Sequence, residues 1–161
     1  MSAFMLPVKV LIAQHLLDVH EGGNWTEVSI KEILFDVDFI EASLLTPASP
    51  NTIASLLSHI SFWNRVMVER IAGVEVEVPV SNGYDAKILS SEAEWTTLKN
   101  DNTNSSHELA NAILKIDEQK LLQEILPGRP TMYKSLQGSV EHVHYHLGQM
   151  TIIKNLAKQI R

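Results

Sequence analysis

The stretch Glu141-His142-Val143-His144-Tyr145-His146 places three of the chain's 7 histidines within five positions. Imidazole both ligates transition metals and moves protons near neutral pH, so the spacing decides which chemistry is open to it. On a helix, residues four apart are neighbours, which puts His142 and His146 on one face and turns His144 to nearly the opposite side, toward solvent or a subunit contact. The face of the pair also carries Ser135, Gly138, Gln149, Ile153 and Ile160. It adjoins an apolar stripe, and the pair is expected to be at least partly buried. Two histidines four apart recur by chance, so a third ligand is required. His59 is the candidate, in the apolar-rich segment Ser55 to Met67 beside Leu56 and Trp63. Three histidines from two helices would leave a coordination position open to water or substrate, as at a catalytic metal. A set of buried histidines satisfied by hydrogen bonds is the ordinary alternative, and the spacing leaves both open.

The same residues exclude several chemistries. Val143 follows His142 where a zinc peptidase of the HExxH type carries its glutamate. Glu141 and His144 form one Glu-x-x-His, but a di-iron bundle needs a second and the chain holds none. Without cysteine there is no zinc deaminase pattern, thiolate nucleophile or disulfide framework. His15, His20 and His107 fall on amphipathic segments with no partner at useful spacing and are expected as surface or cap residues, His15 alone being able to approach the site from the first helix. Asp36 and Asp38 lie two apart on a short helix, so a solvated face is expected of them. Trp25, Trp63 and Trp95 are expected in the core or on a pocket wall.

Helices must position these residues. Leu11, Ile12, Leu16 and Val19 recur at helical spacing within a first helix from Phe4 to His20, stopped by Gly22-Gly23. Ser29 and Glu32 have capping-box spacing and open a short helix whose stripe Ile33, Leu34, Val37, Ile40 runs to the break at Pro47 and Pro50. A longer helix spans about Asn51 to Ala72 and carries His59. Val74, Val76, Val78 and Val80 alternate with polar residues and Pro79, but no second strand exists to pair with them, so an extended connection is predicted. Ser91 caps a further helix that must cross Asp101-Asn-Thr-Asn-Ser-Ser106, a run of poor helix formers, either unbroken or as two pieces. A last helix from about Met132 to Ile160 carries the histidine pair. Helix after helix with one unpaired extended piece predicts an all-α domain, a four-helix bundle over residues 1–161, in whose core such folds build metal and ligand sites.

Composition agrees with that class: 45% of residues are apolar and 20% charged, as in ordinary folded domains. The net charge of -6 and the scatter of the 13 Lys and Arg argue against nucleic acid as a partner. No stretch approaches the ~18 apolar residues of a membrane span, and the N-terminal residues do not read as a signal peptide. A cytoplasmic protein fits these features.

Taken together, Gly22-Gly-Asn-Trp-Thr-Glu27 with the helix that follows, Asn51 to Val66, Ser91-Glu-Ala-Glu-Trp95 and Gly138 to Met150 resemble the DinB/YfiT-like proteins over nearly the whole chain. That family carries one histidine on the second bundle helix and an HxxxH followed by Gly-Gln on the last. By position its metal ligands correspond to His59, His142 and His146. The resemblance implies an up-down-down-up four-helix bundle with short extra helices and one extended connection, commonly a homodimer, holding a divalent metal such as zinc or nickel. It further implies a small-molecule substrate: members include transferases joining a low-molecular-weight thiol to an electrophile, and metal-dependent hydrolases and isomerases.

The expected activity is therefore metal-dependent transfer or hydrolysis, a metal on three neutral imidazoles activating water or a thiol. Gly138, one turn before His142, would leave a gap for substrate. Gln149, one turn after His146, would orient an imidazole or bind the metal's water, unless it is simply an amide on the helix flank. Tyr145 and Trp63 would be pocket walls. Arg65 and Arg129 are candidates for holding the charged ends of a thiol. The alternatives are a non-catalytic bundle that binds metal or ligand in a stress response, and a structural dimer with a vestigial histidine cluster.

Overall fold

The computed structural model describes residues 6–85 and 88–160. Among these it is all-helical, with six α-helices and no strand. Phe4, where the first helix was expected to begin, lies outside the described residues, but Leu6 and Pro7, expected within that helix, are not helical. Helix α1 runs Val8–Glu21, behind Pro7, which has no N–H to leave unsatisfied at the first turn.

The short helix expected after Ser29 is two helices. Ser29 and Glu32 form a reciprocal capping box that opens α2, Ile30–Ile33, and Asp38 with Glu41 forms another that opens α3, Phe39–Ser43. The second box offers the backbone a fresh start, and the turn between the helices buries Leu34 and Val37. Asp36 is exposed as expected, and Lys154 and Lys158, which pair with it, hold its carboxyl down at about 2. Its neighbour Asp38 is the cap of α3.

Helix α4, Ile53–Ile71, starts at the Thr52–Ser55 capping box. The valine segment after it is extended with no ladder partner. Helix α5, Glu92–Leu114, crosses the poor helix formers without a break. Tertiary hydrogen bonds compensate for their weak propensity. Asn102 Nδ2 donates to Ser61 Oγ at 3.1 Å, and Asn64 Nδ2 donates to Ser105 Oγ at 3.0 Å, tying α5 to α4 through buried groups. A 3-10 turn at Glu118–Lys120 leads toward α6, Met132–Ile160, the longest helix.

The long helices α1, α4, α5 and α6 bury one continuous apolar cluster. Packing joins α4 to α5 and α6, and α1 to the same two. Leu16, Leu56, Leu57, Leu109, Leu136 and Met150 are fully buried there. Truncating one of them to alanine would cost about 2–5 kcal/mol. Trp95 sits in the same core, its indole N–H donating to Val37 O at 2.8 Å. Trp25 does not: it is 96% exposed, because Gly23, Asn24 and Glu27 place it in a surface turn. No helix of the described residues is long and apolar enough to cross a membrane.

Candidate metal centre

Helix α4 presents His59, and α6 presents His142 and His146 one turn apart. The two helices pack side by side, and the three imidazoles meet. Nε2 of His142 lies 2.9 Å from Nε2 of His59 and 3.0 Å from Nε2 of His146. His59 and His146 are buried, and His142 is half-buried.

Hydrogen bonds at the far side of two rings set their tautomers. His59 Nδ1 lies 2.5 Å from the main-chain oxygen of Asn82, which only accepts, so Nδ1 carries the proton and Nε2 a bare lone pair. His146 Nδ1 lies 2.7 Å from Gln149 Oε1 and donates to it in the same way, leaving its Nε2 bare. Burial and the neighbouring imidazoles push His142 down to about 3, and burial lowers His59 and His146 as well. A proton on His142 Nε2 could bridge to one of the two facing lone pairs but not to both. The donor set therefore suits a cation, and nitrogens this close can share one ion at bond lengths of ~2.0–2.1 Å. Among the described residues this is the one group of three or more histidines and carboxylates close enough to hold a metal ion.

Aromatic rings fix the imidazoles further. Tyr84 stacks on His59 with ring centroids 4.0 Å apart and planes within 6°. Trp63 meets His59 and His142 edge-on, and its Nε1 donates to Asn82 Oδ1 at 3.1 Å. Asn82 thus holds His59 with its main chain and a pocket wall with its side chain. The turn that positions it needs φ of +52° at Asn82 and +79° at Gly83, and a Cβ on Gly83 would lie 2.7 Å from Phe62. Sequence reasoning missed Asn82 and Tyr84. The Asn-Gly pair signals a turn, but nothing in the sequence indicates that this turn folds back over His59.

Beside the histidines lies a cavity of about 280 Å³ lined by Trp63, Asn64, Met67, Asn82, Ser135, Gly138, Ser139 and the rings of His59 and His142. Trp63 and Gly138 are thus at the cavity, and a Cβ added to Gly138 would meet nothing within 4 Å. Tyr145 is not: it is mostly exposed, packs edge-on against His146 and accepts from Gln149 Nε2 at 3.2 Å.

Other expected roles fall elsewhere. His15 and His144 face each other with ring centroids 5.9 Å apart, outside the cluster of His59, His142 and His146, and His144 also lies 3.5 Å from the amide of Asn24. His107 pairs with Glu21. His20 is no surface residue: it is buried, Nδ1 donating to Leu16 O at 2.9 Å, and burial lowers it to about 4. Its place on the inner face of α1 was masked by its polarity. Arg65 is engaged by Asp101 and Glu108, and Arg129 by Glu75, and neither lines the cavity.

Compared with known protein families, with curated proteins and with solved structures, the chain matches none.

Proposed function

We propose that the chain is a metal-dependent enzyme of the DinB/YfiT-like kind, an up-down-down-up four-helix bundle that works as a homodimer and binds zinc or nickel through His59, His142 and His146. The single observation that carries this is the meeting of three Nε2 atoms, two of them with tautomers set by Asn82 O and Gln149 Oε1 so that their lone pairs face inward. Three neutral nitrogens leave room for a further ligand, and a bound divalent ion would lower the pKa of a water or a thiol there.

The protein's own contribution is positioning. Asn82, Tyr84 and Gln149 hold the imidazoles against rotation. Trp63 and Met67 exclude water from one side, and the gap at Gly138 admits a small substrate next to the free position. Transfer to an electrophile and hydrolysis both use this arrangement.

The test is metal content by plasma mass spectrometry on untagged protein beside a His142→Ala variant, followed by turnover assays on activated esters and on thiol plus electrophile pairs. About one equivalent of metal, lost in the variant together with turnover, is expected. Turnover that survives in the metal-free variant overturns the enzymatic reading, and protein that retains neither zinc nor nickel overturns the metal reading.

A further inference from the structure

The cavity beside the histidines has a polar pattern that selects among ligands. His20, buried behind it on α1, is kept uncharged by burial, and its Nδ1–H is committed to Leu16 O. Its Nε2 is therefore an acceptor, 3.4 Å from Asn64 Nδ2. The second amide hydrogen of Asn64 goes to Ser105 Oγ, whose own proton goes to Asn102 O at 2.8 Å. Both N–H groups of Asn64 point away into the protein, and flipping its amide would set Oδ1 against the lone pair of His20 Nε2. What Asn64 has left for the cavity is Oδ1, an acceptor that takes no hydrogen bond from a described residue. Asn82 is the complement. Its Oδ1 is used by Trp63 Nε1, so Nδ2 is its remaining group, a donor.

The rest of the lining is neutral. Trp63 and Met67 are apolar, and Ser139 Oγ donates to Ser135 O at 3.2 Å. Arg70 lies over the Trp63 ring at 5.4 Å, outside the residues that line the cavity, and is paired with Glu75 at 3.6 Å. An ionic group set among Trp63, Met67 and Asn64 would lose its hydration without gaining a counter-charge from any described lining residue, whereas an N–H or O–H would find Asn64 Oδ1 waiting. The volume is slightly below the about 300–1,000 Å³ of pockets for drug-sized ligands, which limits the ligand to a small molecule.

We infer that the substrate carries, on the arm remote from the metal-binding atom, an uncharged hydrogen-bond donor, a carboxamide or an alcohol, which Asn64 Oδ1 accepts. This rests on the reading of the three histidines as a metal site, and it turns the enzyme away from substrates whose far end is a carboxylate or an ammonium group. Asn64 is a specificity residue here, aimed by His20 and Ser105.

The test uses zinc-loaded protein and linear hydroxamates of matched length whose far ends are a primary carboxamide, an N,N-dimethylcarboxamide or a carboxylate, with acetohydroxamate as the anchor alone. Binding is measured by calorimetry, and occupancy of the cavity by the NMR signal of the Trp63 indole N–H. The carboxamide is expected to bind about tenfold tighter than either analogue, the factor that one neutral hydrogen bond supplies, and to shift the Trp63 signal. Equal affinities across the series, a tighter carboxylate, or a Trp63 signal that stays put overturn the inference while acetohydroxamate still binds. Loss of acetohydroxamate binding, or zinc that does not stay on the protein, instead removes the metal reading, and the inference falls with it. Asn64→Leu should erase the preference for the carboxamide over the N,N-dimethylcarboxamide and the carboxylate. A preference that persists in this variant assigns the selectivity elsewhere.

Discussion

The main-chain oxygen of Asn82 lies 2.5 Å from Nδ1 of His59, so a residue 23 positions further along the chain decides which nitrogen of that histidine faces the other two. The contact comes from backbone, and no side-chain substitution at residue 82 removes it directly. What can remove it is the turn itself. Gly83→Ala would force a left-handed φ on a residue with a Cβ, at about 1–2 kcal/mol, and drive that Cβ into Phe62. The variant should unfold at lower denaturant and bind zinc about tenfold or more weakly, as read by competition with a chelating dye. Unchanged zinc affinity would mean that the turn does not orient His59.

Gln149 orients His146 from within the same helix. Gln149→Leu keeps the helix propensity of the side chain but removes the acceptor at His146 Nδ1. Zinc affinity is expected to fall about 10- to 100-fold, the usual cost of losing a hydrogen bond behind a ligand. Thermal stability of the metal-free protein should change little, since residue 149 is half-buried on the helix flank.

Removal of any one ligand should abolish stable binding. His59→Ala and His142→Ala are expected to bring metal from about one equivalent to near zero, with the helical circular dichroism retained. Retention of a full equivalent by either variant would place the metal elsewhere.

The gap at Gly138 can be closed without touching the ligands. Gly138→Leu adds a side chain where a Cβ meets nothing within 4 Å, and the atoms beyond it enter the cavity. Ligands with an arm should weaken by about 10- to 200-fold, the range that steric mismatch in an apolar pocket commands. Zinc stoichiometry should stay unchanged, and a loss of zinc would show that the cavity and the metal centre are not separable.

His20 makes stability pH-dependent. In the unfolded chain its imidazole takes up a proton near 6.5, but in the folded protein burial delays this until about 4. Between these values the unfolded state binds more protons, so stability rises with pH through this window and is lost as pH falls through it. The difference is on the order of 3 kcal/mol. Denaturant unfolding of wild-type and His20→Gln protein at several pH values isolates it: the wild-type stability should drop relative to the variant between pH 6.5 and 4. Parallel curves would remove His20 from the buried network.

The limits of α4 and α6 and the start of α5 could be read from the chain because they are local. Capping residues, apolar spacing and the stops at glycine and proline act within a few residues, and Ser29, Ser91 and the stripe from Leu136 to Ile153 behave in the structure as their spacing implies. The histidine pair on α6 shares a face for the same reason, since a helix fixes the angle between positions four apart. The poor helix formers from Asp101 to Ser106 left the continuity of α5 open, because partners for Asn102 and Ser105 come from α4, about forty residues away.

The sequence by itself determined an all-helical chain with His142 and His146 side by side. Only the tertiary structure decided that α4 brings His59 Nε2 to within 2.9 Å of His142, that the Asn82 turn folds back over it, that His20 lies inside, and that Arg65 and Arg129 are spent on carboxylates elsewhere. Helix periodicity is a property of neighbouring residues and survives in any context. Which faces meet, and so which imidazoles share a lone-pair cluster, depends on how four apolar stripes pack together at once, and no spacing along one stripe contains that information.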